Sequence, residues 1–139
     1  MNTGKIIISG LVGGVVIFLI GGLLYGLLLA DFFTANIGTA TGVEKASPNV
    51  PLLVVGNLLF GVVLAVIFGR WAGIKTPSTG ATAGAVIGFL FFLANSLTLL
   101  AVWNVYTPVS AIADAVVAAV MFGAGGAVIG YMLGRGEKA

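Results

Sequence analysis

The chain has 139 residues, of which 60% are hydrophobic and 7% charged, and its mean hydropathy is +1.21. A soluble domain carries about 25% charged residues, so this composition excludes a water-covered globule and predicts an integral membrane protein. Cysteine and histidine are absent, which excludes disulfides, cysteine-held metals, histidine-ligated haem and histidine-based serine triads.

The formal charge of +2 rests on six Lys and Arg and lacks the clustered basic face that nucleic acid requires. At about 20 apolar residues per spanning helix, the length predicts an all-α bundle of four transmembrane helices. It forms a single membrane domain over residues 1–139.

A short polar start with Lys5 leads into an apolar run over residues 6–30. It exceeds the roughly 7–15 residues of a signal-peptide core, and Leu28, Leu29 and Ala30 make a poor cleavage site. The run is therefore expected to be a first spanning helix. Steps of four and seven put Gly10, Gly14, Gly21 and Tyr25 on one face. Residues 31–50 are rich in Gly, Thr, Asn and Pro and predict a loop, the long outer one. Pro51 suits the first position of a second helix over 51–69, with Asn57, Gly61 and Ala65 along one side.

Residues 70–79 form a basic turn with Trp71 as interfacial anchor. The third helix is expected over 80–103. It opens with Gly80, Gly84 and Gly88, and Asn95 continues that face. After a turn containing Pro108, Ser110 is a suitable N-cap for the fourth helix over 110–134. That helix carries Asp114 near its start and Gly126, Gly130 and Gly134 toward its end.

Lys5, Arg70, Lys75, Arg135 and Lys138 fall on one side of this arrangement and Lys45 on the other. By the positive-inside rule both termini are cytoplasmic. A faint repeat accompanies this topology. Thr3-Gly4 and Thr79-Gly80 open alternate helices, and Gly61 to Gly69-Arg70 matches Gly126 to Gly134-Arg135 in spacing. The pattern fits a tandem repeat of two hairpins, or chance matching of glycine-rich helices that each need a positive flank.

Two groups of residues are site candidates. Gly80, Gly84 and Gly88 lie at the depth of Gly126, Gly130 and Gly134, so the two rows can bring antiparallel backbones close. They serve helix packing within the chain or a seam between copies. Tyr25, Asn57, Asn95 and Asp114 lie in the outer half, about 6 to 12 Å below the boundary at 1.5 Å per residue. They form either a polar cluster with an ionisable Asp114 or ordinary interhelical hydrogen bonds, with Asp114 eased by its place near a helix start.

The stretch GNLLFGVVLAVIFGRWAGIKTPSTGATAGAVIGFL, residues 56–90, resembles one that recurs in small, uncharacterised four-helix membrane proteins of bacteria. The likeness continues into the Asp-containing fourth helix and its closing G-x-x-x-G-x-x-x-G-R. It implies a multi-pass bacterial inner-membrane protein and no established activity.

Subtraction then shapes the functional expectation. Without histidine or cysteine, one intramembrane carboxylate leaves little for acid–base catalysis, so the chain is not expected to be an enzyme. The expectation is an accessory or structural subunit, in contact with membrane lipids and with other membrane subunits or copies of itself, and with no nucleic acid. The alternative is a small transporter or channel component that uses the outer-half cluster. No metal or cofactor is predicted, while pigment, quinone and lipid binding stay open.

Overall fold

In the computed structural model, which describes residues 1–136, the chain is helical with no strand among those residues. Lys138, counted above among the basic residues, lies outside the described residues. Helix α1, Thr3–Leu23, runs on into a π-helical turn, Leu24–Leu28. The short α2 covers Ala30–Ala35. Helix α3, Val50–Val66, ends in a second π-helical turn, Ile67–Ala72, and α4 and α5 cover Pro77–Val102 and Pro108–Gly134. Four of these segments are long and apolar enough to cross a membrane.

The helix starts follow their capping chemistry. Asn2 and Asn49 accept from the Gly4 and Leu52 amides at 2.8 and 3.1 Å. Helices α4 and α5 both begin on a Thr-Pro pair, earlier than the expected Gly80 and Ser110. Thr76 and Thr107 supply the caps, and proline follows where its missing N–H costs nothing. Ser110 is not the N-cap but the third helical residue, and its hydroxyl accepts from the Thr107 amide at 2.9 Å. The turn after α3 closes on Gly73 at φ 62°, a left-handed position that favours glycine.

The expected loop over residues 31–50 also needs correction, because its first part is α2. Asp31 lies in the first turn, where it complements the helix dipole, and Phe33 packs on Tyr25 with ring centroids 5.1 Å apart. The chain then pairs with the α4–α5 turn. The Gly38 amide donates to the Val105 carbonyl at 3.0 Å and the Ala40 amide to the Asn104 carbonyl at 2.9 Å, around an Ile37–Tyr106 bridge. The Thr107 hydroxyl adds a bond to the Asn36 carbonyl at 2.8 Å. A stitched roof thus covers one end of the bundle.

Helix α5 is the hub. It packs along α4 and along α1, α3 leans chiefly on α1, and α4 leans chiefly on α5, with Phe91 and Phe92 also meeting Phe60 of α3 at ring-centroid distances of 6.5 and 5.8 Å. Of the most apolar 18-residue stretch, 56% is buried in α5 and 11% in α4. The α4–α5 seam is antiparallel and glycine-lined. A Cβ on Gly80 would fall on the Gly126 carbonyl, one on Gly84 on the Phe122 carbonyl, and one on Gly88 within 2.6 Å of the Ala118 carbonyl oxygen. From α5, Gly130 and Gly134 sit against the carbonyls of Thr76 and Lys75. Both glycine rows therefore meet within one chain.

Helix α1 departs from the single face expected for Gly10, Gly14, Gly21 and Tyr25. Gly10 and Gly14 meet α3, where added Cβ atoms would come within 2.6 Å of the Val62 and Leu58 Cα atoms. Gly21 meets Met121 of α5, and Gly13 and Gly125 receive Ile129 and Ile17 in a reciprocal pair. The contacts follow ridges of residues four apart (Gly13, Ile17, Gly21, Tyr25), which drift around the helix and let α1 serve two neighbours.

At the end opposite the roof, the Lys5 ammonium donates to the Leu133 and Arg135 carbonyls at 2.7 and 2.6 Å. A cation there satisfies the last acceptors of α5 and complements its dipole. Arg70 donates to the Thr3 hydroxyl at 2.5 Å, and the Arg135 guanidinium lies 5.7 Å from the centre of the Tyr131 ring.

Candidate functional site

At the roofed end one carboxylate gathers three helices. Asp114 of α5 is 6% exposed. Its Oδ1 accepts a short hydrogen bond from the Tyr25 hydroxyl on the π-helical turn after α1. Its Oδ2 accepts from the Ser96 hydroxyl of α4 at 2.8 Å. Turns of this kind, with one extra residue in the ring, often reorient a side chain at a functional position, and Tyr25 lies in one.

Tyr106, in the turn between α4 and α5, completes the group. Burial raises its phenol above the ordinary value of 10.0, the Asp114 charge raises it further, and a hydrogen bond with Ser96 partly offsets both. Tyr106, Ser96, Asp114 and Tyr25 are thus one electrostatically linked set.

Of the four residues expected to cluster, two meet. The structure brings Tyr25 and Asp114 together. Asn57 instead donates to the Leu53 carbonyl of its own helix at 2.8 Å, and Asn95 is exposed on the outer side of α4. The neighbour of Asn95, Ser96, is buried at 0% exposure and takes the inward place. Adjacent helical residues are about 100° apart, so one position decides the face. Continuing the row from Gly80, Gly84 and Gly88 in steps of four reaches Phe92 and Ser96. A step of seven from Gly88 reached Asn95.

The six glycines of the packing rows, Gly80, Gly84, Gly88, Gly126, Gly130 and Gly134, have no polar chemistry of their own. They set the distance at which Ser96 reaches Asp114. Helix α5 divides its faces accordingly: Gly126, Gly130 and Gly134 turn to α4, while Met121 and Gly125 turn to α1. Chemically the set offers a carboxylate with one hydrogen bond on each oxygen and phenols around it. No family profile, curated protein or solved structure matches the chain.

Proposed function

We propose that the chain is a multi-pass protein of the bacterial inner membrane, with both termini in the cytoplasm, that serves as a non-enzymatic accessory or structural subunit. The observation that supports this reading best is the bareness of α4. It rests chiefly on α5, touches α3 only where Phe91 and Phe92 meet Phe60, and leaves Leu90 58% exposed. Val86 and Leu97 extend the same apolar exposure along the helix. A helix so little covered presents a long apolar flank to another subunit or a second copy.

The orientation is supported by charge. Lys5, Arg70, Lys75 and Arg135 belong to the end of the bundle opposite the roof, and Lys45 to the roofed end. The likeness of residues 56–90 to small four-helix proteins of bacteria agrees with this placement. Reporter fusions after Gly136 and within residues 70–79 should read cytoplasmic, and fusions within 37–47 should read outside. A periplasmic signal from residues 70–79 would sink the orientation.

Purification in mild detergent followed by native mass spectrometry tests the role. A reproducible set of partner subunits, or a stable homo-oligomer, is expected. A lone monomer that conducts or transports a solute overturns the reading. The second reading, a small transporter or channel component, is favoured by the buried carboxylate. It requires that Asp114→Asn fold normally and lose uptake or conductance.

A further inference from the structure

Between Asp114 and the roof lies a cavity of about 210 Å³. Asp114 forms its floor, beside Ser110. Tyr25, Phe33 and Tyr106 supply aromatic walls, and the exposed loop residue Glu44 also lines it. The roof is held in place by the backbone bonds from Gly38 and Ala40 to the α4–α5 turn.

The charge of this space is one-sided. Two acidic residues, Asp114 and Glu44, line it, and no Lys or Arg among the described residues does. Asp114 accepts two hydrogen bonds, both from neutral hydroxyls. A carboxylate has about four acceptor sites, so half of its capacity is unused. Burying a carboxylate without a counter-charge costs several kcal/mol, and a bound cation offsets that cost. An anion finds nothing here, because the Thr107–Ser110 capping box already engages the start of α5.

The walls and the size select the kind of cation. Aromatic faces attract cations, most strongly when both are out of water, and rings around a carboxylate suit a substituted ammonium. At roughly 30 Å³ per water, the space equals about seven waters, too large for a bare ion alone. It is also smaller than the roughly 300 Å³ at which drug-sized pockets begin. Among the described residues no three His, Cys, Asp or Glu side chains converge to hold a metal.

We propose that this cavity binds a small organic ammonium ion. The cationic nitrogen sits against Asp114, its substituents lie on the rings of Tyr25, Phe33 and Tyr106, and Glu44 draws it in. The site does not depend on the accessory role and stands or falls separately from it.

Tetramethylammonium chloride is a suitable probe, added to the purified protein in detergent, with sodium chloride at equal concentration as the reference. Titration calorimetry and thermal unfolding should both show saturable binding beyond that of sodium chloride. Asp114→Asn should weaken binding at least tenfold. Glu44→Gln, an exposed loop change that leaves the bundle intact, should weaken it several-fold. Tyr106→Leu should weaken it while Tyr106→Phe retains it, because the ring face rather than the hydroxyl meets the cation. Equal protection by sodium chloride overturns the proposal in favour of an inorganic cation or simple screening. Binding that is unchanged in both Glu44→Gln and Tyr106→Leu overturns it even if Asp114→Asn fails to fold.

Discussion

The α4–α5 seam makes a quantitative claim through Gly84. A Cβ added there would lie 2.9 Å from the Phe122 carbonyl carbon, closer still to its oxygen, and 3.3 Å from the Gly126 Cα. The obstacles are backbone atoms, which cannot rotate away. Carbon–oxygen contacts settle at about 3.3–3.6 Å, so Gly84→Ala forces the helices apart by on the order of 1 Å. Overpacking of this kind costs about 1–3 kcal/mol, and alanine returns about 1 kcal/mol as the better helix former. The net loss is then about 0–2 kcal/mol.

Gly56 supplies the control, since nothing lies within 4 Å of a Cβ built there. Gly56→Ala keeps the helix-forming gain without the clash, so the difference between the two variants isolates the clash at about 1–3 kcal/mol. Unfolding in mixed micelles, with an ionic detergent as denaturant, measures both. Equal stability of Gly84→Ala and Gly56→Ala would refute the close approach of the two backbones.

Four further outcomes follow from the same geometry. The chain has no cysteine, and an ideal Cβ on Gly123 lies 3.4 Å from the Ala85 Cβ. The double variant Ala85→Cys with Gly123→Cys should therefore form an intrachain disulfide, and crosslinks found only between chains would move the seam to a dimer. Asp114→Leu strands the Tyr25 and Ser96 hydroxyls and should cost about 1–3 kcal/mol, whereas Asp114→Asn keeps an acceptor and should cost less. Equal losses in the two would contradict the hydrogen-bonding role. Lys5→Met removes the cation from the end of α5 and should cost about 0.3–1 kcal/mol, with faster amide exchange confined to the last turn. Because the Tyr106 phenol is raised in the fold, its contribution to stability is full below pH about 10 and is lost as pH rises through the folded value. The phenolate absorbance lost in Tyr106→Phe should appear at lower pH in the Asp114→Asn background, and no movement would sever the link to Asp114.

The helix inventory was legible because it rests on long apolar runs, which need only composition to be seen. The starts of α4 and α5 were less so. Thr76-Pro77 and Thr107-Pro108 look like turn residues, and only the closed capping geometry shows each as a helix start. Helix α2 was hidden for a related reason. Six residues carry no readable periodicity, and the packing of Phe33 on Tyr25 that fixes them is a tertiary contact. At the site, Tyr25 and Asp114 stood out as polar groups in apolar runs. Ser96 did not, because serine is common in such helices and only its turn toward α5 gives it a role. Asn95 lies a step of seven beyond Gly88, on a helix whose contacts advance by four.

The place of Ser96 explains why a polar set belongs in a glycine-lined bundle at all. The present register places Gly80 by Gly126, Gly84 by Phe122 and Gly88 by Ala118. Sliding α4 by four residues would place Gly80 by Gly130 and Gly84 by Gly126, pairs at least as small. Glycine rows alone thus allow close approach in more than one register, since backbone contact is almost indifferent to which turn supplies it. The hydroxyl of Ser96 is not indifferent. A slide of four residues moves it about 6 Å along the axis at 1.5 Å per residue, beyond hydrogen-bonding distance of Asp114, and leaves a buried carboxylate oxygen short of a donor. Such an oxygen costs about 1–3 kcal/mol, enough to favour one register over its neighbour by a factor of roughly 5 to 150 at 1.4 kcal/mol per tenfold. The glycines determine how near α4 can come, and Asp114 with Ser96 determines where along α5 it stops.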